Sequence, residues 1–161
     1  RMFNKNKINL VCVGGVGESF VQFLEGENNK SRFLNTLLLN GSDRIAEQND
    51  LGSTDFAKLI FCVLGAASSN NVVKIESLFD HNPTLWQKTH FILVHPFNFE
   101  GESRSRTAQD FSEFVTFQRS KKTEFRNQDL FKHIDKNAKF EDGFEIMNQW
   151  VLGVIERNKD Q

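Results

Sequence analysis

The chain has 161 residues, enough for one domain with a substantial core. Its 20 basic and 21 acidic residues nearly cancel, which argues against a nucleic-acid partner and against binding to an anionic membrane surface. The two cysteines form no metal pattern and fit a reducing, cytoplasmic setting, and no apolar run is long enough to span a membrane.

The first segment, Ile8–Val13, is a continuous apolar run and predicts an interior strand. Gly14-Gly15-Val16-Gly17 follows, and then a helix with Phe20, Val21, Phe23 and Leu24 on its inner side. Glycines at this position let backbone amides approach a phosphate at a helix N-terminus. The spacing matches neither the dinucleotide fingerprint nor a Walker loop, and Glu18 would repel phosphate. Phe33–Leu39 is a second strand, closed by the turn pair Asn40-Gly41. Asp43–Phe56 is polar and reads as a short helix or an abbreviated connection. Lys58–Leu64 predicts a third strand, and the small-residue loop after it leads into a helix carrying Val72, Ile75, Leu78 and Phe79.

Phe91–Val94 is a fourth buried strand, ended by His95-Pro96 because proline cannot continue a ladder. Phe97 and Phe99 point to one side, Glu100-Gly101 turns the chain, and Ser103 is placed to cap a helix over Arg104–Phe117. Thr123–Arg126 reads as a short edge strand. Asn127–Ile134 predicts a small helix with Leu130, Phe131 and Ile134 facing inward. Phe140, Phe144, Met147, Val151 and Val154 then recur at steps of four and three, which predicts a long amphipathic helix. Alternating strands and helices point to an α/β fold: a doubly wound, mostly parallel, Rossmann-like sheet.

Four segments carry a resemblance to the FtsZ/tubulin family of cell-division GTPases. Val11–Val21, VCVGGVGESFV, is similar to the family's first nucleotide loop, GVGGxGxNxV. Leu34-Asn35-Thr36 resembles the VNTD that ends its second strand. His95–Ala108, HPFNFEGESRSRTA, resembles KPFxFEGxxRxxxA, the most specific of the four. Asn127–Leu152 is similar to NDRLLxxxDKNxxxxxAFxxADxVL, with Asn127, Leu130, Asp135, Lys136, Asn137, Phe144 and Leu152 in register.

The resemblance implies the FtsZ/tubulin nucleotide-binding domain, with strand order 3-2-1-4-5-6 and GTP or GDP across the strand C-termini near the order reversal. It puts Gly14, Gly15 and Gly17 under the phosphates, Asn35 at the second strand, and Glu100 and Arg104 near the ribose and phosphates. It gives Asn127 and Asn148 the guanine edge. Asn148 stands where the family has an aspartate, so a contact worth about 1.5–3 kcal/mol becomes one worth about 1. Affinity would fall on the order of tenfold.

The departures from the family pattern point away from hydrolysis. The loop GGGTGTG should follow the third strand, but the chain reads Leu64–Asn71, LGAASSNN. Alanine and serine take positive φ at a cost of about 1 kcal/mol or more per site. Leu37 replaces an acidic residue, and the glycine-rich segment before the third helix is missing or cut to Asp43–Asp55. Neither the family's catalytic loop nor its second domain falls within these residues.

The sequence therefore predicts a single degenerate FtsZ-like domain with no catalytic and no metal-ligating residues, acting through a protein partner. That partner is a second copy of the chain or an FtsZ-type filament. The alternative is a weak guanine-nucleotide-binding half of a polymerising GTPase. Ile146, Trp150 and Ile155 on the last helix are expected to leave an apolar strip uncovered, as an interface. An unrelated chemistry would use His95 with Glu100, or Cys12 with Cys62. The plainer reading makes His95 a hydrogen-bonded structural residue, the cysteines small core residues, and Glu100–Arg104 a helix-start ion pair.

Overall fold

The computed structural model describes residues 8–26, 34–39, 59–80 and 82–160. Five strands are described: β1 (Ile8–Val13), β2 (Leu34–Leu39), β3 (Ile60–Gly65), β4 (Thr89–His95) and β5 (Lys121–Arg126). They form one all-parallel sheet in the order β2-β1-β3-β4-β5. The helices are α1 (Gly14–Gly26), α2 (Ser69–Asp80), the one-turn α3 (Thr84–Gln87), α4 (Glu102–Phe117) and α5 (Phe140–Asn158). Short 3-10 segments occupy Asn98–Glu100 and Asn127–Lys132. This is the predicted doubly wound fold. A strand outside β2 would fall within 40–58, outside the described residues, as does the reading of Asp43–Phe56.

Parallel strands are buried on both faces, so their sequences are apolar throughout rather than alternating. The seven residues of β4 are all buried. On one face Val11, Cys62, Leu64, Phe91 and Leu93 pack under α2 and α4 through Ile75, Phe79, Ala108, Phe111 and Val115. On the other, Leu10, Cys12, Phe61, Val63 and Ile92 pack under α1 and α5 through Phe20, Leu24, Val151, Val154 and Ile155. Each fully buried phenylalanine or branched residue contributes about 1.5–3 kcal/mol. Trp86 on α3 closes one end of the first face, stacked on Phe91 with ring centroids 5.6 Å apart and edge-on to Phe79 and Phe114.

Local details depart from expectation in three places. No loop separates β1 from α1: Gly14 is already the first residue of the helix. α4 begins at Glu102, and its N-cap is Gly101 with φ of 98°, so Ser103 lies inside the first turn and caps nothing. A glycine tolerates that φ where serine would be strained. The segment Asn127–Lys132 is 3-10 rather than α, burying Leu130 while Phe131 stays half exposed.

Strand order runs outward in opposite directions from β1 and β3. The crevice at their C-terminal ends is where ligands bind in open α/β sheets.

Candidate functional site

One bank of this crevice is built by the β1–α1 and β3–α2 junctions. Gly14 has φ of +69°, and a Cβ there would collide with the side-chain amide of Asn71. A Cβ on Gly17 would lie 2.7 Å from the Cys12 carbonyl carbon, so this glycine lets α1 sit directly on β1. Gly15, by contrast, is exposed and has open space where a Cβ would be. On the same bank, Ala66 and Ala67 are buried, and the Ala66 N–H donates to the Val94 carbonyl at 3.0 Å. Ser68 is the N-cap of α2, its Oγ accepting from the Asn71 N–H at 3.3 Å. The Asn71 side chain then turns back and donates to the Gly65 carbonyl at 3.1 Å.

The other bank follows β4. Glu100 Oε2 accepts the Phe97 N–H at 2.7 Å, closing the 3-10 turn, and Oε1 accepts from Arg104 Nε at 3.0 Å. Arg104 is half exposed, so this pair contributes little to stability. His95 does not meet Glu100. Its Nε2 lies 2.7 Å from Glu124 Oε1, which also accepts the Ser112 hydroxyl at 2.5 Å. Lys122 Nζ donates to Ser112 Oγ at 2.7 Å and stands 3.8 Å from Glu124 Oε2. Partial burial alone would raise the Glu124 pKa. The hydrogen bonds from Ser112 and His95, with the Lys122 charge, outweigh it and hold the carboxyl below its usual 4.5. This network ties α4 to the strand ends and is the structural role expected of His95.

Between the banks lies a cavity of about 250 Å³ lined by Gly15, Val16, Asn71, Glu100, Arg104 and Asn127, among others. Arg104 is the one cation among its described lining residues and is neutralised by Glu100.

FtsZ structures are among the solved structures that share this fold. FtsZ from M. jannaschii, solved as an empty dimer, matches with a TM-score of 0.74 and 16% identity over 98% of this chain and 57% of that one. A tryptophan-to-tyrosine variant of FtsZ from the same organism gives 0.71 and 15% over 94% and 55%. The fold is FtsZ-like. The chain spans little more than half the length of either FtsZ chain. No protein-family model and no curated protein matches the sequence.

Within the FtsZ-like fold, Gly15, Glu100, Arg104 and Asn127 share one cavity, while the other predicted site residues lie elsewhere. Gly14 and Gly17 are packing residues beneath it. Asn35 is the second residue of β2, paired with Asn9 of β1, four positions short of the C-terminal edge. At about 3.3 Å per residue it is roughly 13 Å away, so the VNTD-like triplet opens the strand rather than ending it. Asn148 is buried and donates to the Ser19 hydroxyl at 3.1 Å and to the Ser19 carbonyl at 3.4 Å, tying α5 to α1.

The expected interface strip needs correction as well. Ile155 is 2% exposed and belongs to the core under α1. Ile146 and Trp150 are half-buried, Trp150 lying against Phe125 and His133 with centroids 5.6 and 5.2 Å away. Among the described residues the exposed large apolar side chains are instead Val73, Phe99, Phe117, Phe131, Phe140 and Phe144. Cys12 and Cys62 are on adjacent strands but point to opposite faces, and burial pushes both thiols upward. Burial of this kind disfavours the thiolate that a nucleophile would need. Among the described residues no cluster of three or more metal-ligating side chains occurs. The residues that the sequence reading missed are Ser68 and Asn71. Their signal was the N-cap pattern Ser68-x-x-Asn71 at the start of an apolar-periodic helix.

Proposed function

We propose that this FtsZ-like domain acts by binding other proteins in the cytoplasm and does not hydrolyse GTP. The observation that carries the reading is the β3–α2 turn. Where the family's glycine loop would wrap a triphosphate in backbone amides, Ala66 and Ala67 are buried and the Asn71 amide spans to Gly65. The cavity left over, about 250 Å³, falls below the roughly 300 Å³ at which small-molecule sites begin. It offers phosphate no net positive charge. The partner is a second copy of the chain or an FtsZ-type filament, with no role for nucleic acid or membrane.

A second reading has its own support, since Gly15, Glu100, Arg104 and Asn127 line one cavity. It makes the domain a weak GTP- or GDP-binding half of a polymerising GTPase. Calorimetric titration with GTP and GDP, together with phosphate release followed for hours, separates the two. The first reading expects no heat at millimolar nucleotide and no release; saturable binding with steady turnover overturns it. Co-pelleting with FtsZ filaments from the same host tests the filament as partner.

A further inference from the structure

A phenylalanine cluster covers the corner of the molecule beyond the β4–α4 turn. The Phe97 ring lies 5.0 Å from Phe99, 5.4 Å from Phe131 and 6.1 Å from Phe140, and Phe140 lies 6.3 Å from Phe144. Phe97 is buried, but the other four are 68, 50, 63 and 45% exposed. Phe97, Phe131, Phe140 and Phe144 line a hollow of about 380 Å³ that shares no lining residue with the crevice cavity. A contiguous apolar patch of this kind marks an interaction surface rather than ordinary scatter of exposed side chains.

The patch carries both halves of a contact. Phe99 is stacked on Phe97, which lines the hollow, and is exposed, so it can serve as a knob. Lys136 and Lys139 line the hollow, and neither has an ion-pair partner among the described residues. The nearby carboxylates of Asp135 and Asp142 are engaged, accepting the backbone N–H of Lys136 and Lys139. Glu102, three residues after Phe99, and Glu141, beside Phe140, are exposed and likewise without an ion-pair partner among the described residues.

A twofold axis sets a surface against itself, so it requires knob and hollow, acid and base, on the same face. We infer that this corner is the interface of a symmetric homodimer. In it, Phe99 of each copy enters the other's phenylalanine-lined hollow, and Glu102 and Glu141 meet the other copy's Lys136 and Lys139. The inference rests on the reading that the domain works by protein association, and it names the partner as a second copy.

Sedimentation velocity of the chain over a concentration series tests it, without nucleotide. A dimer is expected. Phe99→Glu, at an exposed position, weakens it by at least about tenfold while leaving the thermal melt unchanged. Lys136→Glu/Lys139→Glu and Glu102→Lys/Glu141→Lys each weaken self-association, and mixing the two double variants restores a dimer through opposite charges. A monomer at all concentrations, a dimer indifferent to Phe99→Glu, or no recovery on mixing overturns the inference. A monomer that still co-pellets with FtsZ filaments overturns the homodimer and leaves the association reading standing.

Discussion

The two banks of the crevice have fared differently. The β4 bank keeps Glu100, Arg104 and Asn127, residues whose side chains face the cavity. On the β1–β3 bank, the turn after β3 is built of alanine and serine, with the Asn71 side chain donating across it to the Gly65 carbonyl. The difference lies in what each residue does without a ligand. Glu100 closes its own turn through the Phe97 N–H and holds Arg104, so the fold gives it a reason to stay. A loop of glycines shaped around a phosphate has no such second role and carries an entropic cost on folding. The residues of the β4 bank thus have work within the fold itself, which a glycine loop would not have.

The strongest way to break this contrast is at the glycines. Gly17→Leu drives a side chain into the β1 backbone and should cost about 3 kcal/mol or more in urea unfolding. Gly15→Ala, with open space around its Cβ, should be neutral or slightly stabilising. Equal effects at the two positions would refute the division into packing and facing glycines.

Next in size is Glu124→Ala, which leaves His95, Ser112 and Lys122 without their shared acceptor and should cost about 1–2 kcal/mol, discounted for its partial exposure. The β4–β5 pair also predicts a pH dependence. Burial of His90, followed by the Lys121 charge, lowers its pKa below 6.5, so the unfolded chain takes up a proton that the folded chain resists. Stability is complete above pH 6.5 and declines as pH falls toward the folded value. Glu124 adds a second decline below its unfolded 4.5, as pH falls through its lowered folded value. Unfolding midpoints measured across this range should fall in that order. A rise on acidification would contradict both assignments.

Asn71→Ala, which frees the Gly65 carbonyl, should cost about 1 kcal/mol in the same assay. Arg104→Ala should change stability by less than about 0.5 kcal/mol, because its pair is half exposed. If Arg104→Ala instead abolished a measurable affinity for GDP, the β4 bank would be a nucleotide site and not only a structural element.

The strands were legible because buried parallel strands are uninterrupted apolar runs, and Ile8–Val13 coincides with β1 at both ends. The site was read less well, for local reasons. A three-residue match carries no register, so Leu34-Asn35-Thr36 was assigned to the wrong end of β2. Backbone φ is invisible in sequence, which hid Gly101 as the cap of α4. Apolar periodicity on α5 cannot distinguish a core stripe from an exposed one. Met147, Val151 and Val154 continue into the core, but Phe140 and Phe144, on the same stripe, extend past the sheet and stay exposed. For the same reason Ile155 read as uncovered although α1 lies over it.

The hydrogen bond from Asn148 to Ser19 spans 129 positions of sequence. Its consequence concerns biogenesis. Phe20 and Leu24 of α1 share their core with Val151, Val154 and Ile155. The β1 and β3 side chains of this core are made before those of α5, so part of the apolar face of α1 stays uncovered until α5 follows. The β3–β4–β5 ladder, whose strands pair in chain order, can form sooner because its loops close over shorter distances. The contact between α1 and α5 should therefore be among the last parts of the described core to form.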